Sequence, residues 1–151
     1  MKLRLMVAAA ILGAAGIACA QEGGAALTPD QIIAARQAAY DLMYGTTIGI
    51  KAAIATKADV ADFEDAAAAI ANWGQVAPTL FPDGTQQGHN TKAKPGVWSD
   101  RAGFVKDANN LTEQATKLAQ LAKAGDKAGF AEQFQAVGKA CKTCHDSYKA
   151  K

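Results

Sequence analysis

The chain has 151 residues, half of them apolar and 7% aromatic, which suits one compact domain with a real core and leaves too little for two. Sixteen Lys and Arg face 14 Asp and Glu, a formal charge of +2 with no long basic run, so no nucleic-acid partner is expected.

Lys2 and Arg4 precede an apolar run from Leu5 to Ile17 that ends in Ala18-Cys19-Ala20. The run is short for a bilayer span and closes on an A-x-A pattern. It therefore reads as a secretory signal peptide (1–20), cleaved after Ala20, with export to the periplasm and no stable membrane insertion. The competing reading is a lipoprotein acylated at Cys19, but Gly16 stands where such a signal wants a branched apolar side chain. Removing residues 1–20 leaves 131 residues with 14 bases against 14 acids, a nearly neutral mature domain at 21–151.

Thr28-Pro29-Asp30-Gln31 supplies an N-cap, a proline at the first helical position and a capping-box Gln. Ile32, Arg36, Ala39, Tyr40, Met43, Thr47, Ile50 and Ile54 then recur at three- and four-residue steps, which predicts a helix over 29–56 that runs through Gly45 and Gly49. A second helix is predicted over 59–76, capped by Asp59, with Asp62, Glu64 and Asp65 near its positive end. Pro78 stops it, and residues 78–98, rich in Pro, Gly and polar side chains, form a long loop. Ser99 is the expected cap of a third helix carrying Phe104, Leu111, Leu118 and Leu121 until Gly125. Asp126 caps a fourth, on which Phe130, Phe134, Val137, Cys141, Cys144 and Tyr148 form a heptad-like stripe. Four amphipathic helices with two short connections and one long one describe an all-α, antiparallel four-helix bundle.

Cys141-Lys142-Thr143-Cys144-His145 lies on that stripe. C-x-x-C-H is the attachment signal for c-type haem, in which two thiols form thioethers with the vinyl groups and the adjacent His is placed to ligate iron. Other readings of the motif are weaker. A zinc site would have only these three residues and His89 to draw on, and adjacent Cys144 and His145 are hard to aim at one tetrahedral metal. A thioredoxin-like redox pair opens a helix after a strand, and none is predicted here. A structural disulfide would close a tiny loop and leave His145 unexplained. On the bundle-facing stripe, a haem would lie inside the bundle near one end.

Four segments carry a resemblance: Cys141 to Lys149 around the haem motif, Val97-Trp98-Ser99-Asp100 with Phe104, Phe81 with Gly84-Thr85, and Arg36-Gln37. In these the sequence resembles the cytochrome c′ family of class II c-type cytochromes, over essentially the whole mature chain. The resemblance implies one covalent haem c per chain on Cys141 and Cys144, with His145 as the proximal iron ligand. It puts Arg36 and Gln37 near the haem propionates, and Phe81, Phe104 and Tyr148 around the haem. Lys149 stands where many relatives carry Arg, whose planar fork a lysine does not reproduce; the plain alternative is an exposed lysine.

Tyr40 matches the distal residue that faces the sixth coordination site, where low-spin relatives carry Met. A neutral tyrosine implies five-coordinate, high-spin iron. The alternatives are an interior bundle residue with its hydroxyl at the rim, or phenolate ligation. Met43, one turn further, is a core residue by default and otherwise a sixth ligand. Leu80 and Phe81 are candidates to close the distal side, whereas Trp73 and Trp98 read as packing residues and His89 as exposed. The resemblance implies a binding module for NO or CO, or a carrier serving a periplasmic redox partner, commonly as a homodimer through the first two helices. The alternative is a low-spin electron carrier with a Met ligand. No second acid–base pair or nucleophile points to an enzyme.

Overall fold

The computed structural model describes residues 26–151, so the signal peptide, the Cys19 alternative and cleavage after Ala20 lie outside the described residues. Helix α1 spans Pro29–Thr56 and opens as the sequence predicts: the Thr28 side chain accepts from Gln31 N, and the Gln31 side chain accepts from Thr28 N. It is continuous through both glycines. Its inward face is shifted slightly from the predicted stripe, since Ile33 rather than Ile32 is fully buried, beside Arg36, Ile50 and Ala53.

The second predicted helix is divided. Asp59 does cap, but it caps a 3₁₀ turn, Val60–Phe63, and α2 proper spans Glu64–Val76. Val60 and Phe63, three residues apart on this turn, both pack against one apolar cluster. Pro78 falls within a second 3₁₀ turn, Ala77–Leu80. The long loop then carries a short helix, α3, at Gly96–Ser99, and Ser99 does not cap the next long helix. Its Oγ donates back to Pro95 O (3.3 Å), while Asp100 accepts from Gly103 N (3.1 Å) and caps α4, Arg101–Lys123. Gly125, at φ +67°, makes the left-handed turn that lets Asp126 cap α5, Lys127–Tyr148.

The four long helices form the expected bundle. Among the described residues the only β pairing is an isolated bridge between Ala93 and Lys149, and no helix is long and apolar enough to cross a membrane. Close approaches run between α2 and α4 and between α4 and α5, whereas α1 stands further off. The buried side chains fall into two groups. One, around Ile50, Ile70, Leu118 and Phe130, fills the half near the α4–α5 turn; the other is aromatic, with Phe81, Phe104 and Tyr148, at the opposite end. The cysteine motif lies where the two groups meet, with Cys141 packed on the first and Cys144 on the second.

Candidate functional site

Cys141 and Cys144 are free, half-buried thiols one turn apart on α5. Burial pushes both up, Cys144 to about 11 with Asp107 and Cys141 adding to the effect. A redox dithiol needs a lowered value, so the pair has the wrong electrostatics for a thioredoxin-like role. Among the described residues no three His, Cys, Asp or Glu side chains are grouped to hold a metal ion, which also leaves the zinc reading without a site. His145 follows in the last turn of α5. Burial, then Lys149, lowers its imidazole below the ordinary value against the opposing pull of Asp146. A neutral imidazole is the form that ligates a metal.

Two adjoining cavities open in front of this motif, both bordered by Tyr40, Tyr44, Phe104, Cys144 and His145. The first, of about 180 Å³, is walled almost entirely by apolar groups and includes Met43, Trp73 and Cys141. The second, of about 490 Å³, reaches a polar edge with Arg36, Gln37, Phe81, Tyr148 and Lys149. All eleven site residues expected from the sequence therefore border one or both cavities. His89 does not: it is exposed, with Nε2 3.9 Å from Asp30 Oδ2.

Tyr40 stands on α1 with its ring 6.3 Å from that of His145 and edge-on to Trp73 at 4.8 Å. Burial first, then Cys144, raises its phenol far above the ordinary value, with Arg36 opposing. Met43 also packs against the Ile50–Phe130 group, in keeping with its reading as a core residue. Trp73 is more than the packing residue its sequence suggests, because it forms part of the apolar cavity wall beside Tyr40.

The polar edge is organised by Arg36, which is 2% exposed. Its Nη1 donates to Leu80 O (3.2 Å) and Thr85 Oγ1 (2.9 Å), and its Nη2 to Thr85 O (2.9 Å) and Thr91 Oγ1 (2.8 Å). The guanidinium also lies 4.3 Å over the Phe81 ring, which places Phe81 under the polar edge. Among the described residues no carboxylate comes within ion-pair distance of it. A buried cation held by neutral acceptors at a cavity edge suits an acidic group on whatever fills the cavity. Gln37 donates to His89 O (2.8 Å), which fixes the loop beside it. Thr85, singled out by the sequence only as part of a resembling segment, and Thr91, which nothing in the sequence marks, both prove to hold Arg36. An apolar slot, two thiols, an imidazole and a buried cation at the rim together fit a haem with its propionates.

Comparison with known proteins agrees with this chemistry. The family described as Cytochrome C′ matches residues 31–149. The cytochrome c′ of Rubrivivax gelatinosus is 37% identical over 126 residues, covering 82% of this chain and 97% of that protein. A solved cytochrome c′ with ligand-controlled dimer dissociation superposes with a TM-score of 0.78 at 32% identity, over 84% of this chain and 100% of that one. Variants of the Alcaligenes xylosoxidans cytochrome c′ have been solved with nitric oxide bound (TM-score 0.74, 29% identity, 83% and 98% covered) and with carbon monoxide bound (0.73, 28%, 82% and 98%).

Proposed function

Because the chain belongs to the cytochrome c′ family, whose proteins carry covalently bound haem c, we propose that it is an exported haem protein that keeps one iron coordination position open for NO or CO. The observation that carries the reading is Tyr40, a half-buried side chain whose ring lies 6.3 Å from that of His145 at the shared cavity, where a low-spin relative would carry Met. The gas complexes of the Alcaligenes xylosoxidans relative support it.

Haem bound here supplies an iron that changes oxidation state and takes a diatomic ligand. The chain's own residues do the rest. Cys141 and Cys144 would hold the haem through thioethers, and His145 would ligate its iron. Arg36 and Gln37 would lie beside the propionates, Phe81, Phe104 and Tyr148 would surround the haem edge, and Lys149 stands at the polar rim. Tyr40, Trp73 and Met43, which line the apolar cavity, would leave room beside the haem for a small ligand.

Absorption and paramagnetic-resonance spectra of the haem-loaded protein, oxidised and reduced, with and without nitric oxide, test this. High-spin spectra that change with the gas are expected. Low-spin spectra with a methionine–iron charge-transfer band would identify Met43 as a ligand and move the function to electron transfer with a periplasmic redox partner. The role is one of binding or carrying rather than classical enzymology.

Export rests on Lys2, Arg4 and the apolar run before Ala20, and is checked by the mass of the mature periplasmic protein, 131 residues plus haem. Self-association is proposed through the outer faces of α1 and α2. There Leu42, Ile48 and Val76 are 71, 46 and 49% exposed, and a Cβ on Gly45 or Gly49 would meet nothing within 4 Å. Sedimentation of wild type against Leu42→Glu tests this face, since the variant is expected to be monomeric at concentrations where the wild type is a dimer.

A further inference from the structure

Helix α5 ends at Tyr148, three residues after His145; Lys149 N donates to His145 O (3.0 Å), but the carbonyls of 146–148 have no partners further along the helix. The loop between α2 and α4 supplies most of them. Lys94 Nζ donates to Asp146 O (2.8 Å) and Lys94 N to Tyr148 O (2.9 Å). Ala150 N donates to Lys92 O (2.7 Å), which sets Lys149 opposite Ala93 in the isolated bridge. The Tyr148 hydroxyl donates to Asp100 Oδ2 (2.7 Å), while Asp100 Oδ1 accepts from Gly103 N and caps α4. The Tyr148 ring meets Phe104 edge-on at 5.2 Å. A Cβ at Gly103 would press on both the Asp100 carboxylate and the Tyr148 hydroxyl, so a side chain there would displace this pair. The other end of the loop is braced too, because Thr91 Oγ1 accepts from Arg36 Nη2 (2.8 Å) on α1.

We propose that residues 91–100 act as a strap that fixes the last turn of α5, and that Lys94 and Asp100 are thereby positioning residues for His145, setting how firmly its imidazole is held toward the iron. The inference rests on His145 being the proximal ligand. Neither Lys94 nor Asp100 borders the cavities; each acts through the turn that carries the imidazole. A helix end with unpaired carbonyls frays, and an imidazole three residues from such an end would swing with it. Four hydrogen bonds with one loop remove that freedom. The Asp100 carboxylate joins the N-terminus of α4 to the C-terminus of α5, so a single side chain holds both ends in register.

The test compares haem-loaded wild type with Tyr148→Phe, Asp100→Ala and Asp100→Asn. Tyr148→Phe is the clean variant, since it keeps the ring on Phe104 and leaves Asp100 free to cap α4. The readouts are the iron–histidine stretching band of the ferrous protein, hydrogen exchange at the amides of 148–150, and the melting temperature. Tyr148→Phe and Asp100→Ala are expected to lower the stretching frequency and to speed exchange at Lys149 and Ala150 about tenfold. Asp100→Asn keeps a cap and an acceptor for the hydroxyl, and is expected to stay near wild type. Lower melting temperatures with the band unmoved would overturn the proposal, because the strap would then brace the fold without reaching the ligand. A wild-type protein that holds haem but shows no iron–histidine band would overturn the ligand assignment itself, and the strap's role with it.

Discussion

Replacing Arg36 with Lys keeps the charge and removes the fork, which isolates what the geometry of the polar edge contributes. The two guanidinium nitrogens serve four acceptors on Leu80, Thr85 and Thr91. A single ammonium can occupy the place of one nitrogen, so it keeps one pair of acceptors and abandons the other. Two buried or half-buried acceptors then lose a charged donor, at about 1–3 kcal/mol for each group left unsatisfied. Loss of the flat guanidinium over Phe81 adds about 0.5–1 kcal/mol. Thr91 Oγ1 still accepts from Ala93 N at 3.3 Å, which offsets part of this, and the sum is about 3 kcal/mol. For a domain of this size that corresponds to a fall in melting temperature of about 10 °C. Thermal denaturation of the haem-loaded protein followed by circular dichroism measures it, and hydrogen exchange should locate the loosening in residues 80–91. A fall under about 3 °C with protection unchanged in that loop would refute the reasoning, since Arg36 would then hold nothing that Lys does not.

Tyr40→Met sets a thioether across from His145 and is expected to convert the iron to a low-spin state with weakened gas binding; high-spin spectra and unaltered nitric oxide uptake would mean that Tyr40 does not face the sixth position. Gly74→Ala drives a Cβ into Thr112 Oγ1 and to 2.9 Å from Ala108 O, where α2 and α4 touch. Overpacking of about 3 kcal/mol, less about 1 kcal/mol gained in helix propensity, leaves a loss of about 2 kcal/mol, read as a shift of the denaturation midpoint. Stability should also fall at alkaline pH. The Tyr148 phenol is pushed up to about 12, chiefly by its hydrogen bond to Asp100, from an ordinary 10.0. A raised folded-state value means that the contribution is intact below pH 10 and is lost as the pH climbs to about 12, so melting curves of Tyr148→Phe should lack that component of the alkaline decline.

The bundle is legible because its signals are local. The capping box at Thr28, the cap at Asp126 and the stripe through Phe130, Val137 and Cys141 each act within one or two turns. The same holds for the Cys141–His145 motif, whose chemistry lies in five adjacent residues. What the sequence hides depends on contacts far along the chain. Ser99 and Asp100 are both good caps; Asp100 takes the role and is also held by Tyr148, 48 residues away, while Ser99 turns back to Pro95. Thr85 and Thr91 become site residues only because the loop brings them to Arg36, 49 and 55 positions back. Trp73 reads as core on its own helix, and only the placement of Tyr40 on α1 turns it into a cavity wall.

The small residues and the haem slot are parts of one arrangement. Helix α2 carries Gly74 against Ala108 and Thr112, and α4 buries Ala108, Ala115 and Ala122, so these helices close up with little side-chain bulk between them. The same economy is absent between α1 and α5, where Tyr40, Met43, Cys144 and His145 project into open width. Helices normally sit about 8–10 Å apart, too near to admit a macrocycle edge-on between two alanine faces. A bundle made of evenly sized side chains would share that spacing equally and leave no slot. Here the width is collected on one side, between the helix that carries the haem motif and the helix that carries the distal residue. Arg36 and the 91–100 loop then tie that open side at its rim. The alanine and glycine content is therefore part of how the chain makes a site for a large flat cofactor with only 7% aromatic residues to line it.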